Sequence, residues 1–316
     1  MSGSFFRRID LAGISALKKS TLDYLVEKAS KTIEDEAAVS ELHRQIAQHQ
    51  ATIAQINQKL HEVSIALQEK ESRDYQSVMA LQATLAGLKD LDPGFAPIYE
   101  ACKPFTMTSA ERLYGLYKAV EYIVNNKIPG DLVETGVWRG GSMMLVAQTL
   151  LALGEKNRRL FLFDTYEGHP KPDAELDVDL WGNRAIEDWQ RHQKTDEGSG
   201  WGYVSLEEVR ANMQSTGYPM ENVVCVKGMV EETVAENSPG QISLLRLDTD
   251  WYQSTKITLE ICYPRLSPNG VLIIDDYGHY RGQRQAVDAY FRDRQMPLLN
   301  RLDYSCRLAV KPTDQG

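Results

Sequence analysis

Two pairs of aspartates, Asp248/Asp250 in RLDTDWYQST and Asp275/Asp276 in VLIIDDYGHY, each follow an apolar run in a chain of 316 residues. The runs Ile242–Leu247 and Val271–Ile274 read as strands buried on both faces. Acids placed just after such strands gather at the carboxyl edge of a parallel sheet, where open α/β folds bind ligands. These four carboxylates form an all-oxygen donor set that suits a hard divalent cation. The competing reading is that they cap the helices that follow, which accounts for one acid of each pair and leaves the other unexplained.

A second constellation is Glu134-Thr-Gly-Val-Trp-Arg-Gly-Gly-Ser142, a strand end running into a glycine-bearing turn that opens a helix. Gly136, Gly140 and Gly141 allow a ligand to approach the backbone closely. Their GxxxGG spacing departs from the GxGxxG of dinucleotide sites and lacks the glycine that admits a pyrophosphate. S-adenosylmethionine, which carries no phosphate, is favoured over NAD on that ground. Glu134 ends the first strand and Asp164 ends the second, in LFLFDTYEG, where a carboxylate accepts hydrogen bonds from both ribose hydroxyls. A bare βα turn and a hydride-transferring dehydrogenase are the alternatives for these residues.

The elements that must position these groups follow from the pattern. Strands are predicted near 131–135, 159–164, 222–227, 242–248 and 270–275, and helices near 109–125, 141–153, 205–216, 229–236, 253–265 and 283–294. Strands alternating with helices give an α/β, doubly wound, Rossmann-like sheet. Leu298–Leu302 and Ser305–Val310 add an antiparallel hairpin at its edge. Residues 166–204, with Trp181, Trp189 and Trp201, are too long for an ordinary βα connection and read as a lid insertion.

Ahead of this domain, 34–90 is rich in Gln, Ala, Glu, Leu and Ile, with no Pro and no Gly before Gly87. Apolar residues recur with 3,4 spacing at Val39, Leu42, Ile46, Ile53, Ile56, Leu60, Val63 and Leu67, interrupted only by His49. The repeat resumes after a stutter at Val78, Leu81, Leu85 and Leu88. The expectation is a long coiled-coil helix, ~50 residues and about 75 Å in length. Flanking positions (Gln45, Gln50, Thr52, Asn57, Lys59, Ser64) carry little charge, which favours a homo-oligomer through 34–90 over a designated hetero-partner. The alternative is packing within the chain, against Ile9–Ile33 or the globular domain. The expected domains are thus 1–33, an N-terminal helical segment; 34–90, the coiled coil; and 91–316, the sheet domain with its insertion.

A composition of 42% hydrophobic and 25% charged residues is that of an ordinary globular protein. A net charge of −9 argues against nucleic acid as a ligand. No apolar stretch reaches the roughly 18–20 residues of a membrane span, and MSGSFFRRIDLAG has no signal-peptide core, so a cytoplasmic location is expected. Cys102, Cys225, Cys262 and Cys306 form no CxxC pair and read as reduced core thiols.

The segments FTMTSAERLYGLYKAVEYIV, IPGDLVETGVWRGGSMM, LFDTYEGHP, LLRLDTDWYQST and IIDDYGHYRGQRQAVDAYF resemble the macrocin O-methyltransferase family, over about 91–312 and excluding the coiled coil. The resemblance implies a class I methyltransferase fold and methylation of sugar hydroxyls in natural products, with S-adenosylmethionine and Mg2+ or another hard divalent cation. It makes Asp248, Asp275 and Asp276 the metal ligands, with Asp248 also facing the methyl donor, and leaves Asp250 as general base. The exchange of roles between Asp248 and Asp250 stays open. The cofactor set becomes Glu134, Thr135, Gly136, Val137, Trp138, Ser142, Asp164, Thr165, Tyr166, Lys227, Gly228 and Met229. His279 touches the substrate or assists proton transfer, or is a plain loop histidine; Tyr252 and the three tryptophans line the acceptor site or pack in the core. The acceptor is a glycoside or saccharide. The second functional reading is an oligomeric scaffold or regulator whose methyltransferase domain binds cofactor without turnover, against which stands the presence of every acid the chemistry needs.

Overall fold

The computed structural model describes residues 19, 21, 23–28, 39–60, 63, 92–194 and 199–313. The chain divides into two units, Met1–Ala80 and Leu81–Gly316. In the first, 39–60 form one continuous helix, as the 3,4 spacing and the lack of Gly and Pro require. Its stripe residues Leu42, Ile46 and Ile53 are half-buried, while Ile56 and Leu60, with Val63 just beyond, are exposed. Leu67, the stutter from Val78 to Leu88 and most of 1–33 lie outside the described residues.

The second unit runs α1 (Phe95–Cys102), α2 (Ala110–Asn125), β1 (Asp131–Thr135), α3 (Gly141–Ala152), β2 (Leu160–Asp164), α4 (Ala185–Arg191), α5 (Leu206–Ser215), β3 (Val223–Lys227), α6 (Val230–Asn237), β4 (Ile242–Leu247), α7 (Tyr252–Cys262), β5 (Leu266–Ile274), α8 (Arg281–Phe291), β6 (Asn300–Arg301) and β7 (Arg307–Val310). The strands form one sheet in the order β3-β2-β1-β4-β5-β7-β6. The first five are parallel, and β7 pairs antiparallel with both β5 and β6, which is the expected edge hairpin. The strand order reverses between β1 and β4, so the crevice outside their carboxyl ends is the natural ligand site.

Side chains alternate between two cores. Leu132, Leu162, Leu244, Val271 and Ile273 pack with α1, α2, α3 and α5, whereas Val133, Phe161, Leu245, Leu247, Leu272 and Ile274 pack with α6, α7 and α8. All four cysteines are free, and Cys102, Cys262 and Cys306 are buried. Three elements differ from expectation. β5 starts at Leu266, because Leu266 already pairs with Ile242 before a register shift carries the ladder past Pro268 and Asn269 to the Leu244–Val271 pair. α1 is an additional helix, opened by a turn in which Phe95 N donates to Asp92 O at 3.1 Å. The insertion contains a short helix, α4, and an isolated bridge pairs its Asp179 with Tyr280.

Candidate active site

Period-2 alternation decides which acids converge. Glu134 and Arg246 are register partners across β1 and β4, and Arg246 is the register partner of Ile273 on β5. Asp248, two residues past Arg246, and Asp275, two past Ile273, therefore lie on that same face of the sheet. The Arg246 guanidinium, 2% exposed, pairs with Glu134 and reaches Asp248 Oδ2 and Asp275 Oδ1, each at 2.6 Å. A second guanidinium comes from α2, whose first turn is capped by Ser109 accepting from Arg112 N at 3.2 Å. Arg112 NH1 meets Asp275 Oδ2 at 2.5 Å and its Nε meets Asp303 Oδ2 at 2.6 Å, which ties the β6–β7 turn to the site.

Asp248, Asp275 and Asp276 each place one carboxylate oxygen within 4.8 Å of the others, so the structure brings these three acids together. Burial lifts the Asp248 carboxyl well above the ordinary range, with Arg246 opposing and the Asp275 charge adding to the rise. Asp276 is lifted in the same direction by burial and then by Asp250 and Asp275. The carboxylates of Glu134, Asp248, Asp250, Asp275, Asp276 and Asp303 outnumber the guanidiniums of Arg112 and Arg246 and the imidazole of His169. A hard cation bound by oxygens would offset that surplus, so the donor set fits a divalent ion.

Neither pair of acids caps a helix: the N-caps of α7 and α8 are Trp251 and Tyr280, without side-chain caps. The cap of α7 comes instead from the insertion, where Asp177 Oδ1 accepts from Tyr252 N at 2.8 Å. Asp250 faces the insertion too, its Oδ2 lying 3.1 Å from His169 Nε2. Burial raises Asp250, but the His169 contact, together with a hydrogen bond to Asp276 and the nearby His279, outweighs it and holds the carboxyl below its usual range.

These groups open on a cleft of about 400 Å³. Of the expected cofactor residues, Gly136, Val137, Trp138, Ser142, Asp164, Thr165, Gly228, Met229 and Asp248 line it. Asp164 builds the turn itself: its Oδ2 accepts from Val137 N at 2.8 Å and Trp138 N at 3.1 Å, and Oδ1 from Tyr166 N at 2.8 Å. Gly136 has φ +81 and passes so close to Asp248 that a Cβ would collide with the Asp248 carbonyl.

Glu134 and Thr135 are fully buried and do not line the cleft. Glu134 instead pairs with Arg246 and is shut away from the cavity, and burial pushes its pKa up to about 7 against the pull of that arginine. Tyr166 turns into the core, donating to Leu162 O at 3.0 Å, and exposed Lys227 pairs with Glu167 at 2.8 Å. His279 lines the cleft beside Tyr304, whose hydroxyl lies 3.2 Å from Nδ1; burial lowers the His279 pKa. Trp201 also lines the cleft, Trp181 is 68% exposed with its ring edge-on to His279, and Trp189 is a core residue; Tyr252 is not part of the lining.

Sequence reasoning missed Arg246, Arg112, His169 and Asp177. Arg246 carried a signal, since an arginine inside ISLLRL, in a strand buried on both faces, requires a buried counter-charge. Asp177 carried none, because its partner lies 75 residues away.

Residues 46–308 match the family described as Macrocin-O-methyltransferase (TylF). The chain belongs to the macrocin O-methyltransferase family. The family match starts at residue 46, inside the helical segment and well before the expected residue 91. Among relatives in the family, an 8-demethyl-8-(2,3-dimethoxy-alpha-L-rhamnosyl)-tetracenomycin-C 4'-O-methyltransferase of Streptomyces olivaceus is 39% identical over 172 residues, 54% of this chain and 62% of that one. A mycinamicin III 3''-O-methyltransferase of Micromonospora griseorubida is 33% identical over 196 residues, 60% and 70% of the two chains. The match thus spans less than two thirds of the Streptomyces olivaceus enzyme. The structure of the O-methyltransferase NovP superposes with a TM-score of 0.58 at 31% identity, covering 66% of this chain and 83% of NovP. The calicheamicin methyltransferase CalS11 shares the fold, with a TM-score of 0.50 at 20% identity over 73% of this chain and 91% of CalS11. Among the described residues no helix is long and apolar enough to cross a membrane.

Proposed function

We propose that this chain is an S-adenosylmethionine- and Mg2+-dependent O-methyltransferase acting on a hydroxyl of a sugar or glycosylated natural product. The observation that carries the reading is the meeting of Asp248, Asp275 and Asp276 in one cleft with the Gly136–Ser142 turn and Asp164. Both relatives are named as O-methyltransferases, and the rhamnosyl group in the name of the Streptomyces olivaceus enzyme supports the acceptor class.

When bound, S-adenosylmethionine supplies an electrophilic methyl group and Mg2+ supplies Lewis-acid stabilisation of a developing alkoxide. Asp248, Asp275 and Asp276 would hold the metal, with Arg246 and Arg112 fixing how the Asp275 carboxylate is presented. The Asp164 carboxylate and the glycine turn would hold the donor. Asp250, kept ionised by His169, accepts the acceptor hydroxyl's proton at its carboxylate. The aromatic rings of Trp138, Trp201, Tyr280 and Tyr304 line the cleft and limit water. Holding hydroxyl and methyl group in line supplies much of the acceleration.

The helix at 39–60, with its stripe partly open to solvent, supports self-association through 34–90. The deciding experiment is D276A in the full chain. S-adenosylhomocysteine should still bind by calorimetry, while label transfer to a panel of glycosides, read by mass spectrometry, is lost. Full wild-type transfer in excess EDTA would remove the metal from the mechanism.

A further inference from the structure

His169 is engaged on every side. Its Nε2 lies 3.1 Å from Asp250 Oδ2 and its Nδ1 lies 3.1 Å from the Trp201 carbonyl oxygen. The ring stacks on Trp201 with centroids 4.6 Å apart and planes 22° from parallel. The backbone takes part as well: His169 N donates to Trp201 O at 2.9 Å, and His169 O accepts from Trp189 Nε1 at 3.0 Å and Ser199 Oγ at 3.1 Å. Gly202, at φ +64, crosses so near that a Cβ would stand 2.7 Å from the ring atoms Cε1 and Nδ1. One residue therefore joins both described flanks of the insertion to Asp250.

Asp250 needs external support. Its φ is +65, and Trp251 N donates across it to Thr249 O at 2.7 Å, which makes it the apex of a three-residue turn. A non-glycine residue in this conformation stores about 1–3 kcal/mol and persists only where its surroundings over-determine it. Acceptors face both ring nitrogens of His169, so a protonated ring donates to both. The direction of its pKa agrees, since burial lowers it and the contacts with Asp250 and the Trp201 carbonyl, with Asp164 nearby, raise it above the ordinary value.

We propose that His169 is a positioning residue that fixes the Asp250 carboxylate by anchoring it to Trp201 and the 166–204 insertion. The functional consequence rests on Asp250 being the general base. His169 acts through Asp250, so its removal disturbs the turn at 249–251 and leaves the metal ligands and the donor turn in place.

The test uses amide hydrogen exchange of the full chain, alone and with S-adenosylhomocysteine. H169F keeps a ring against Trp201 but has no N–H, H169Q keeps an amide N–H able to reach Asp250, and G202A displaces the ring without replacing it. The Trp251 amide should exchange about tenfold faster in H169F and G202A, recover part of its protection in H169Q, and leave the β1 and β4 amides unchanged. Unchanged protection at Trp251 in H169F overturns the proposal. So does equal acceleration across β1 and β4, which would mark a general loss of stability. Failure of the wild-type chain to bind S-adenosylhomocysteine would count against the proposed function and leave the Trp251 comparison standing. With any glycoside that is turned over, H169F should lower kcat about a hundredfold with the donor KM within about twofold; a rise in KM alone overturns the positioning role.

Discussion

Glu134 on β1 and Arg246 on β4 face each other in register, and their ion pair is closed to solvent. The same guanidinium serves Asp248 and Asp275, so the charge that stabilises the sheet edge also orients two of the expected metal ligands. Breaking a buried pair by removing one partner leaves uncompensated charge. R246M should therefore lower the unfolding free energy by about 3–5 kcal/mol, measured by urea denaturation. A loss below about 1 kcal/mol would show that the acids escape the penalty by taking up protons.

The division of labour between Asp248 and Asp250 is open to a binding measurement that needs no acceptor. Asp248 stands with Asp275 and Asp276, whereas Asp250 turns to His169. Mn2+ binding, followed by electron paramagnetic resonance, should be lost in D248N and kept in D250N, while both variants lose methyl transfer. The opposite pattern of Mn2+ binding would exchange their roles.

The strands and the four acids were legible in the sequence because continuous apolar runs ended by carboxylates are a local pattern. The partners of those acids were not. That Arg246 meets Glu134, Asp248 and Asp275 depends on the register of three strands, which no single segment encodes. Glu134 was placed at the cofactor by its position at a strand end, but its side chain lies on the face that carries Arg246, and ion pairing draws it inward. His169 and Asp177 belong to an insertion whose contacts are set by tertiary packing, and Gly202 shows how tight that packing is.

Asp177 gives the fold a pH dependence of unusual sign. Burial pushes its carboxyl from 3.8 up to about 6, although the amides of Tyr252 and Asp173 draw it down. Between those two values the folded chain holds a proton that the unfolded chain has released. The contribution to stability is thus greatest at the acid end of the window and falls as pH rises through about 6. Thermal or urea unfolding of D177N, which keeps an oxygen acceptor for Tyr252 N and cannot titrate, should lack this component between about pH 4 and 6. A difference from wild type that is constant with pH would assign Asp177 to helix capping alone.

The N-terminal helix allows a test of self-association that keeps the whole chain. Ile46 and Ile53 share the apolar stripe of 39–60 and are only half-buried. Paired along a coiled-coil seam, each would be covered by a second helix, and a lysine at either position would put a charge into that seam. I46K/I53K should therefore have a lower mass by light scattering than the wild type, and removal of residues 1–90 should have the same effect. If both variants keep the wild-type mass, any assembly is carried by other surfaces, and the stripe is covered within its own chain. If only the truncation changes mass, the contact lies in 1–90 but does not depend on Ile46 and Ile53.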